Sequence, residues 1–307
     1  MDLKSKIILI AGPTASGKSE FAVKIAKKIN GEIINADSMQ VYKQLKILTA
    51  RPTQKNQKRI KHHLYGFQNV AKKFSTGAWL KLAMQKIKEI RKKNKVPILV
   101  GGTGLYFKAL IDGLVKIPEI PNTLRSSARI LHKEIGQKNF YSLLIKLDPL
   151  SKKFVSMHDT QRTIRAYEVK KFTDRSLFDF IKETRSNFDK KIFIKLFINT
   201  PKQLLHKNVE NRVDRMFVSG AIEEVKSFFK MKIKKDLSAN KIIGINEIND
   251  YLRKKTTLAR AKELIKLKTR QYAKRQFTWA RGHMKTWEMI YSSDLNDLFR
   301  KAINKIS

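Results

Sequence analysis

Gly12-Pro13-Thr14-Ala15-Ser16-Gly17-Lys18-Ser19 decides how this chain is read. It fits G-x-x-x-x-G-K-[ST], the phosphate-cradling P-loop. Its flanks suit such a loop. Ile7-Ile8-Leu9-Ile10 before it reads as a buried strand. Behind it, Phe21, Ile25 and Ile29, with Ala22 and Ala26, form an apolar stripe at helical spacing, closed by Gly31. A glycine-rich turn at a helix N-terminus aims backbone N–H groups and the positive end of the dipole at an anion. Lys18 adds a point charge, and the Ser19 hydroxyl suits a Mg²⁺ ion. A chance match in a turn is the bland alternative, and a strand and helix both in register argue against it. The loop implies a bound di- or triphosphate without saying which.

Composition narrows the partner. The 307 residues carry 66 Lys and Arg against 26 Asp and Glu, a net charge of +40. Apolar content of 42% is enough for a sizeable core, so the chain is globular rather than disordered. Such a charge points to a polyanion, nucleic acid or an acidic membrane surface. The chain is also rich in Lys, Ile, Asn and Phe, so compositional drift supplies part of the charge, and placement must decide. The absence of cysteine excludes disulfides, thiolate metal sites and a thiol nucleophile. The first apolar run, Ile7 to Ala11, is too short for a signal segment, and no run approaches ~18 apolar residues. No membrane association and a cytoplasmic location are therefore expected.

Residues 1–115 alternate strand and helix patterns. Glu32-Ile33-Ile34-Asn35-Ala36-Asp37 reads as a strand ending in an acid. A loop with Pro52, His62 and His63 follows. Gly77 to Lys95 is an amphipathic helix with Leu80, Ala83, Ile87 and Ile90 on one face, and Val96-Pro97-Ile98-Leu99-Val100 is a buried strand running into Gly101-Gly102-Thr103-Gly104. The rhythm predicts an α/β fold, a P-loop-type parallel sheet covered on both faces. Ligands collect at the carboxyl ends of such strands, where Gly12–Ser19, Asp37 and Gly101–Gly104 lie. Residues 116–190 read as a helical insertion dense in Lys and Arg. Residues 191–307 return one strand, Lys191 to Ile198, and then read as helices, the longest from about Thr257 to Arg281.

A nucleotide-hydrolysing P-loop enzyme needs a second acid at a strand end. The Val96–Val100 strand ends in Gly-Gly-Thr instead, which leaves Asp37 as a base or an orienting acceptor rather than part of a hydrolysis centre. A turn or cap role is the alternative for Asp37. Thr103 offers a hydroxyl beside two glycines. Arg162 and Arg165 are three apart on a helix entered at Asp159, its N-cap. On the long helix Arg270, Lys274 and Arg281 share a face with Phe277, which could stack on a base, while Tyr272 and Trp279 point the other way, toward the core. A solvated charged face would look the same. His62-His63 has no third ligand at metal spacing.

Several blocks together carry a resemblance. They are the P-loop; Asn35-Ala36-Asp37-Ser38-Met39-Gln40-Val41-Tyr42; Thr49-Ala50-Arg51-Pro52; His62-His63-Leu64; Gly101-Gly102-Thr103-Gly104-Leu105-Tyr106; Asp159-Thr160-Gln161-Arg162 with Arg165-Ala166-Tyr167-Glu168-Val169; and Arg270 to Trp279. Over nearly its full length the chain resembles the bacterial tRNA dimethylallyltransferase family. The resemblance implies transfer of a dimethylallyl group from dimethylallyl diphosphate to the exocyclic amine of the adenosine 3′ of a tRNA anticodon, with release of diphosphate. It implies that Gly12 to Ser19 hold the diphosphate, with Lys18, Thr103, Arg212 and a Mg²⁺ at Ser19 stabilising the charge that grows there. Asp37 would orient the amine and take its proton. Contacts with tRNA are carried onto Asp37, Ser38, Met39, Gln40, Thr103, Arg125, Gln161, Arg162, Thr163, Ile164, Arg165, Arg270, Lys274, Arg275, Gln276, Phe277 and Arg281. The adenine would have to be turned out of its stack to reach the site.

The chain departs from the family pattern in places. Gly244-Ile245-Asn246 stands where many members have Gly-Tyr-Arg or Gly-Tyr-Lys, so no RNA contact is carried onto Ile245 or Asn246. Arg51 replaces a usual Lys, and Asn208 stands where an Arg is often found, which weakens that helix as a diphosphate clamp. One chain carries every part the reaction needs, so a monomer is expected. Three rival readings remain open: a small-molecule or nucleotide kinase, a prenyltransferase acting on free adenine nucleotides, and a non-catalytic RNA-binding protein with a relict P-loop.

Overall fold

A computed structural model describes residues 3–52, 60–291 and 294–306. The chain divides into two compact units, one of Met1–Ile111 with Phe188–Ser307 and the other of Asp112–Asn187. The first unit carries the sheet. Its strands are β1 (Ile7–Ala11), β2 (Gly31–Asn35), β3 (His62–His63), β4 (Val96–Gly101), β5 (Phe193–Asn199) and β6 (Glu288–Tyr291). They lie in the order β3-β2-β4-β1-β5-β6, every pair parallel. β1, β2 and β4 are buried along their whole length. That burial explains their near-continuous apolar sequences, since strands covered on both faces have no wet side to alternate with.

Helices supply the cover. α1 (Lys18–Lys28) buries Phe21, Ala22, Ile25 and Ala26, the stripe expected from the sequence. These pack with Ile8, Ile10, Ile98 and Ile198 of the sheet and with Leu298 and Ala302 of α11 (Leu295–Ile306). α2 (Thr76–Lys92) is capped by the Ser75 hydroxyl, which accepts from Ala78 N–H at 3.1 Å. Its Trp79 donates from Nε1 to Asn35 O at 2.8 Å and stacks on Tyr106 of α3 (Gly104–Asp112) at 4.1 Å between ring centroids. The carboxyl half adds α7 (Lys202–Val218), α8 (Ala221–Lys230), α9 (Ile245–Leu252) and α10 (Leu258–His283), whose apolar faces form a second core with Val41, Leu45 and Leu48.

Two strands differ from the sequence expectation. The sequence predicts a loop around His62-His63 and helix around Glu288–Tyr291. Both are short edge strands, β3 only two residues long and β6 with a single buried side chain, Ile290. Neither leaves a periodic signature. His63 is nonetheless placed firmly, with Nε2 at 2.7 Å from Glu32 Oε2, and Lys95 Nζ 3.0 Å from the other carboxylate oxygen. That cluster gives His63 a structural role, while His62 Nδ1 lies 2.6 Å from Ile60 O. Among the described residues no group of three or more His, Cys, Asp or Glu is placed to hold a metal ion.

The second unit holds α4 (Asn122–Leu147), α5 (Thr160–Thr173) and α6 (Leu177–Glu183) around Phe140, Leu144, Val155, Ala166 and Phe178. α4 is broken at Gly136, whose φ of 74° and ψ of 168° lie outside helical space. The Asp159 carboxylate caps α5 by accepting from Arg162 N–H at 3.0 Å. Among the described residues no helix is long and apolar enough to cross a membrane.

Candidate active site

The P-loop leaves β1 and enters α1 as the motif requires. Gly17 takes a left-handed φ of 79° and Ala15 one of 64°, so successive amides turn toward one side and build an anion nest. α7 and its approach tie the loop down. Thr200 Oγ1 donates to Ser16 O at 3.3 Å, Asn208 Nδ2 to Ala15 O at 3.1 Å, and Arg212 Nη1 to Thr14 Oγ1 at 2.9 Å. Asn208 thus anchors backbone where an Arg would have offered charge. Ser16 Oγ is buried with no hydrogen-bond partner, an orphan hydroxyl inside a loop built for oxyanions. Lys18 Nζ folds back onto Pro13 O at 3.0 Å. Burial pulls its pKa down to about 8, Asp37 partly opposes that, and Arg212 adds to it. A lysine so poised gains most when an anion arrives.

Asp37 follows β2. Its Oδ1 accepts from Met39 N–H at 2.9 Å, and its own N–H donates to Asn35 Oδ1 at 2.9 Å. The turn role weighed against catalysis is therefore real, and it leaves Oδ2 available to a substrate. Thr103 meets the same turn. Its Oγ1 accepts from Ser38 N–H at 2.9 Å and donates to Ser38 Oγ at 3.2 Å. The hydroxyl expected to reach a diphosphate oxygen thus also straps the Asp37-Ser38 turn. Gly101 permits this approach, because a Cβ there would lie 2.0 Å from Ala36 O, a backbone atom that cannot yield.

Two cavities meet here. The larger, about 1160 Å³, is walled by the loop from Thr14 to Ser19 together with Asp37, Arg51, Arg212, Arg215 and Lys241. The smaller, about 350 Å³, is walled mainly by apolar groups, among them Leu105, Phe107, Phe197, Trp279 and Met284, with Thr103 at its edge. Met39, Tyr272 and Arg275 line both. Burial pushes the Tyr272 hydroxyl up, with the nearby Asp37 carboxylate adding to the effect. Glu224 holds the wall between Lys46 and Arg51, its carboxylate accepting the N–H groups of Lys46, Ile47 and Leu48 at 2.6, 2.7 and 2.9 Å. Nothing in the sequence near Glu224 distinguished it from a solvated helix acid.

The helices expected to grip RNA fare unevenly. On α10, Lys274, Arg275 and Arg281 are exposed, but Arg270 already faces Glu210, at 3.6 Å. Tyr272 and Trp279 are not core as expected; the face they occupy is the wall of the cavities. Phe277 packs on Phe197 with the Arg281 guanidinium 5.4 Å from its ring centroid, so a cation holds the place expected for a base. Gln276, expected to touch RNA, turns inward to the P-loop and Gly102. On α5, Gln161 is exposed and Ile164 half-buried, whereas Thr163 is fully buried, its hydroxyl donating to Asp159 O at 2.8 Å. Contact of Thr163 with RNA is therefore excluded. Arg162 pairs with Asp159 and Arg165 with Glu168, each at 3.3 Å. Arg125 is half-buried on α4. Ser38, Met39 and Gln40 are also half-buried, and Gln40 Nε2 donates to Thr49 O at 2.9 Å. Ile245, a departure from the family pattern, is a fully buried core residue of α9, and Asn246 is exposed.

The family model for IPP transferase matches residues 40–283. The chain belongs to the IPP transferase family. A tRNA dimethylallyltransferase of Pelagibacter ubique is 58% identical over 301 residues, covering 98% of this chain and 96% of that protein. One of Rickettsia felis is 44% identical, covering 99% and 98%. Among solved structures, a full-length tRNA isopentenylpyrophosphate transferase from Bacillus halodurans superposes with a TM-score of 0.69 at 31% identity, covering 98% of this chain and 97% of its own. A eukaryotic dimethylallyltransferase described as acting on tRNA reaches a TM-score of 0.83 at 28% identity, covering 97% and 77%. Membership accounts for an intact P-loop without the second strand-end acid. An IPP transferase must hold a diphosphate, not hydrolyse a nucleotide.

Proposed function

We propose that this protein transfers the dimethylallyl group of dimethylallyl diphosphate to the exocyclic amine of the adenosine 3′ of a tRNA anticodon, releasing diphosphate. The observation that carries the reading is the junction of the two cavities. A cationic, amide-lined cradle for a diphosphate opens beside an apolar cavity fit for a five-carbon chain, and Asp37 lines the cradle.

The chemistry follows from that placement. The allylic C–O bond of the donor breaks while the adenine nitrogen bonds to the same carbon. Negative charge grows on the departing diphosphate, where the loop amides, Lys18 and Arg212 receive it. Asp37 accepts a hydrogen bond from the amine and takes its proton. Thr103 acts through Ser38 to hold that carboxylate in place. Ser19, exposed at the start of α1 and on the cradle wall, would hold Mg²⁺, since among the described residues no cluster of His, Cys, Asp or Glu is placed to cage an ion. When bound, the ion supplies Lewis-acid stabilisation of the leaving group. The apolar cavity keeps water from the allylic carbon. Exposed Lys274, Arg275 and Arg281 on α10 supply cations for RNA phosphates. A kinase would use the cradle but has no need of the apolar cavity.

Purified protein offered dimethylallyl diphosphate with undermodified tRNA, AMP or ATP should prenylate adenosine in the tRNA alone. Prenylated AMP or ATP would establish the free-nucleotide reading instead. Asp37→Ala should abolish transfer while tRNA binding stays within about twofold, because the carboxylate serves the amine and not the RNA backbone. Loss of binding would refute that role.

A further inference from the structure

Gln276, on α10, brings its side chain into the P-loop's hydrogen bonding. Its Oε1 accepts the Thr14 N–H at 2.8 Å, and its Nε2 donates to Gly102 O at 3.0 Å. Thr14 N–H belongs to the diphosphate loop, and Gly102 to the turn after β4 that carries Thr103. The side chain therefore bridges the ends of β1 and β4 from the helix that carries the exposed cations Lys274, Arg275 and Arg281. A Cβ on Gly102 would lie 2.1 Å from Gln276 Nε2, so the missing side chain at 102 is the space that the amide fills. An ordinary RNA-facing glutamine would point to solvent. This one is half-buried, has both ends of its amide bonded to backbone, and also meets the Tyr272 hydroxyl.

We infer that Gln276 is a positioning residue, a latch that fixes the diphosphate loop against the Thr103 turn so that the donor's allylic carbon and the amine held by Asp37 stay in line. The inference rests on the transfer reaction proposed above. Gln276 touches no reacting atom. It acts through Thr14, whose hydroxyl also accepts from Arg212, and through Gly102, the residue before Thr103. Misplacing such groups by about an ångström can cost a reaction on the order of a hundredfold with substrate binding little changed.

The test uses the full-length protein and two substitutions that remove the same latch from opposite sides. Gln276→Met keeps the volume and loses the amide's hydrogen bonds to Thr14, Gly102 and Tyr272; Gly102→Ala displaces the amide while leaving residue 276 a glutamine. Each should lower kcat by about tenfold to a hundredfold, with donor KM and tRNA binding within about twofold of wild type. The double variant should be no worse than the worse single, because one latch cannot be lost twice. Amide hydrogen exchange at Thr14 should quicken in all three variants, a readout that does not need activity. Wild-type kcat in Gln276→Met, losses that multiply in the double variant, or unchanged exchange at Thr14 would each overturn the latch. Failure of the wild-type protein to transfer a prenyl group would instead strike at the proposed reaction, and the exchange measurement would still decide whether the latch exists.

Discussion

The two cavities share Met39, Tyr272 and Arg275 but differ in nearly everything else. One is ringed by the P-loop and arginines from three parts of the chain, and the other by rings and aliphatic groups. The difference gives the site a cationic compartment and an apolar one that join at three shared residues. Substitutions on the cationic side should slow the chemical step, and those on the apolar side should alter which donor is accepted.

The largest effect should come from the cradle. Lys18→Met should reduce kcat by about 10²–10³, the usual cost of one lost contact to a developing anion. Its pH behaviour sharpens the point. Lys18 has its pKa lowered to about 8 from an ordinary 10.5, so the unfolded chain binds more protons between those values, and wild-type stability should rise with pH there relative to Lys18→Met. Donor binding should restore the charge, so calorimetry near pH 8 in buffers of different ionisation heat should show uptake of about half a proton. Lys18→Met should show none, and equal uptake in both proteins would mean that Lys18 does not sense the diphosphate.

A smaller effect is expected across the boundary. Trp279, against Gly104 and stacked on His283, forms one end of the apolar cavity. Trp279→Ala should lower kcat/KM for the five-carbon donor and raise relative use of a ten-carbon donor by about tenfold or more, since apolar pockets discriminate by roughly 1–3 kcal/mol per methylene. Unchanged preference would separate Trp279 from the prenyl chain. The smallest effect lies outside both cavities, on the outer face of α10. Lys274→Gln should reduce the salt slope of tRNA binding by just under one unit, and Arg270→Gln by less, because Arg270 already has Glu210. Equal slopes would show that the ion pair is broken when RNA binds.

The sequence was readable where one local rule settled the matter. Phe21, Ala22, Ile25 and Ala26 lie on the side of α1 that their spacing demands, and Asp159 caps α5 as its position demands. It failed where two readings shared one period. Their spacing sets Tyr272 and Trp279 opposite the basic face of α10, yet helical periodicity cannot tell a core from a cavity wall. Thr163 sits beside Arg162 in sequence but on the buried side of the helix. Glu224 carries no local signal, since three amides distant in the chain give it its role.

The sequence by itself determined the parallel α/β class, the P-loop and the family, because each rests on short-range order: strand, turn and helix within a few dozen residues. Only the tertiary structure decided that Thr103 braces Ser38, that Asn208 and Arg212 moor the P-loop, and that Gln276 faces inward. These contacts, the Gln276–Thr14 bond spanning 262 positions, depend on how helices cross the sheet. No periodicity along the chain encodes that crossing.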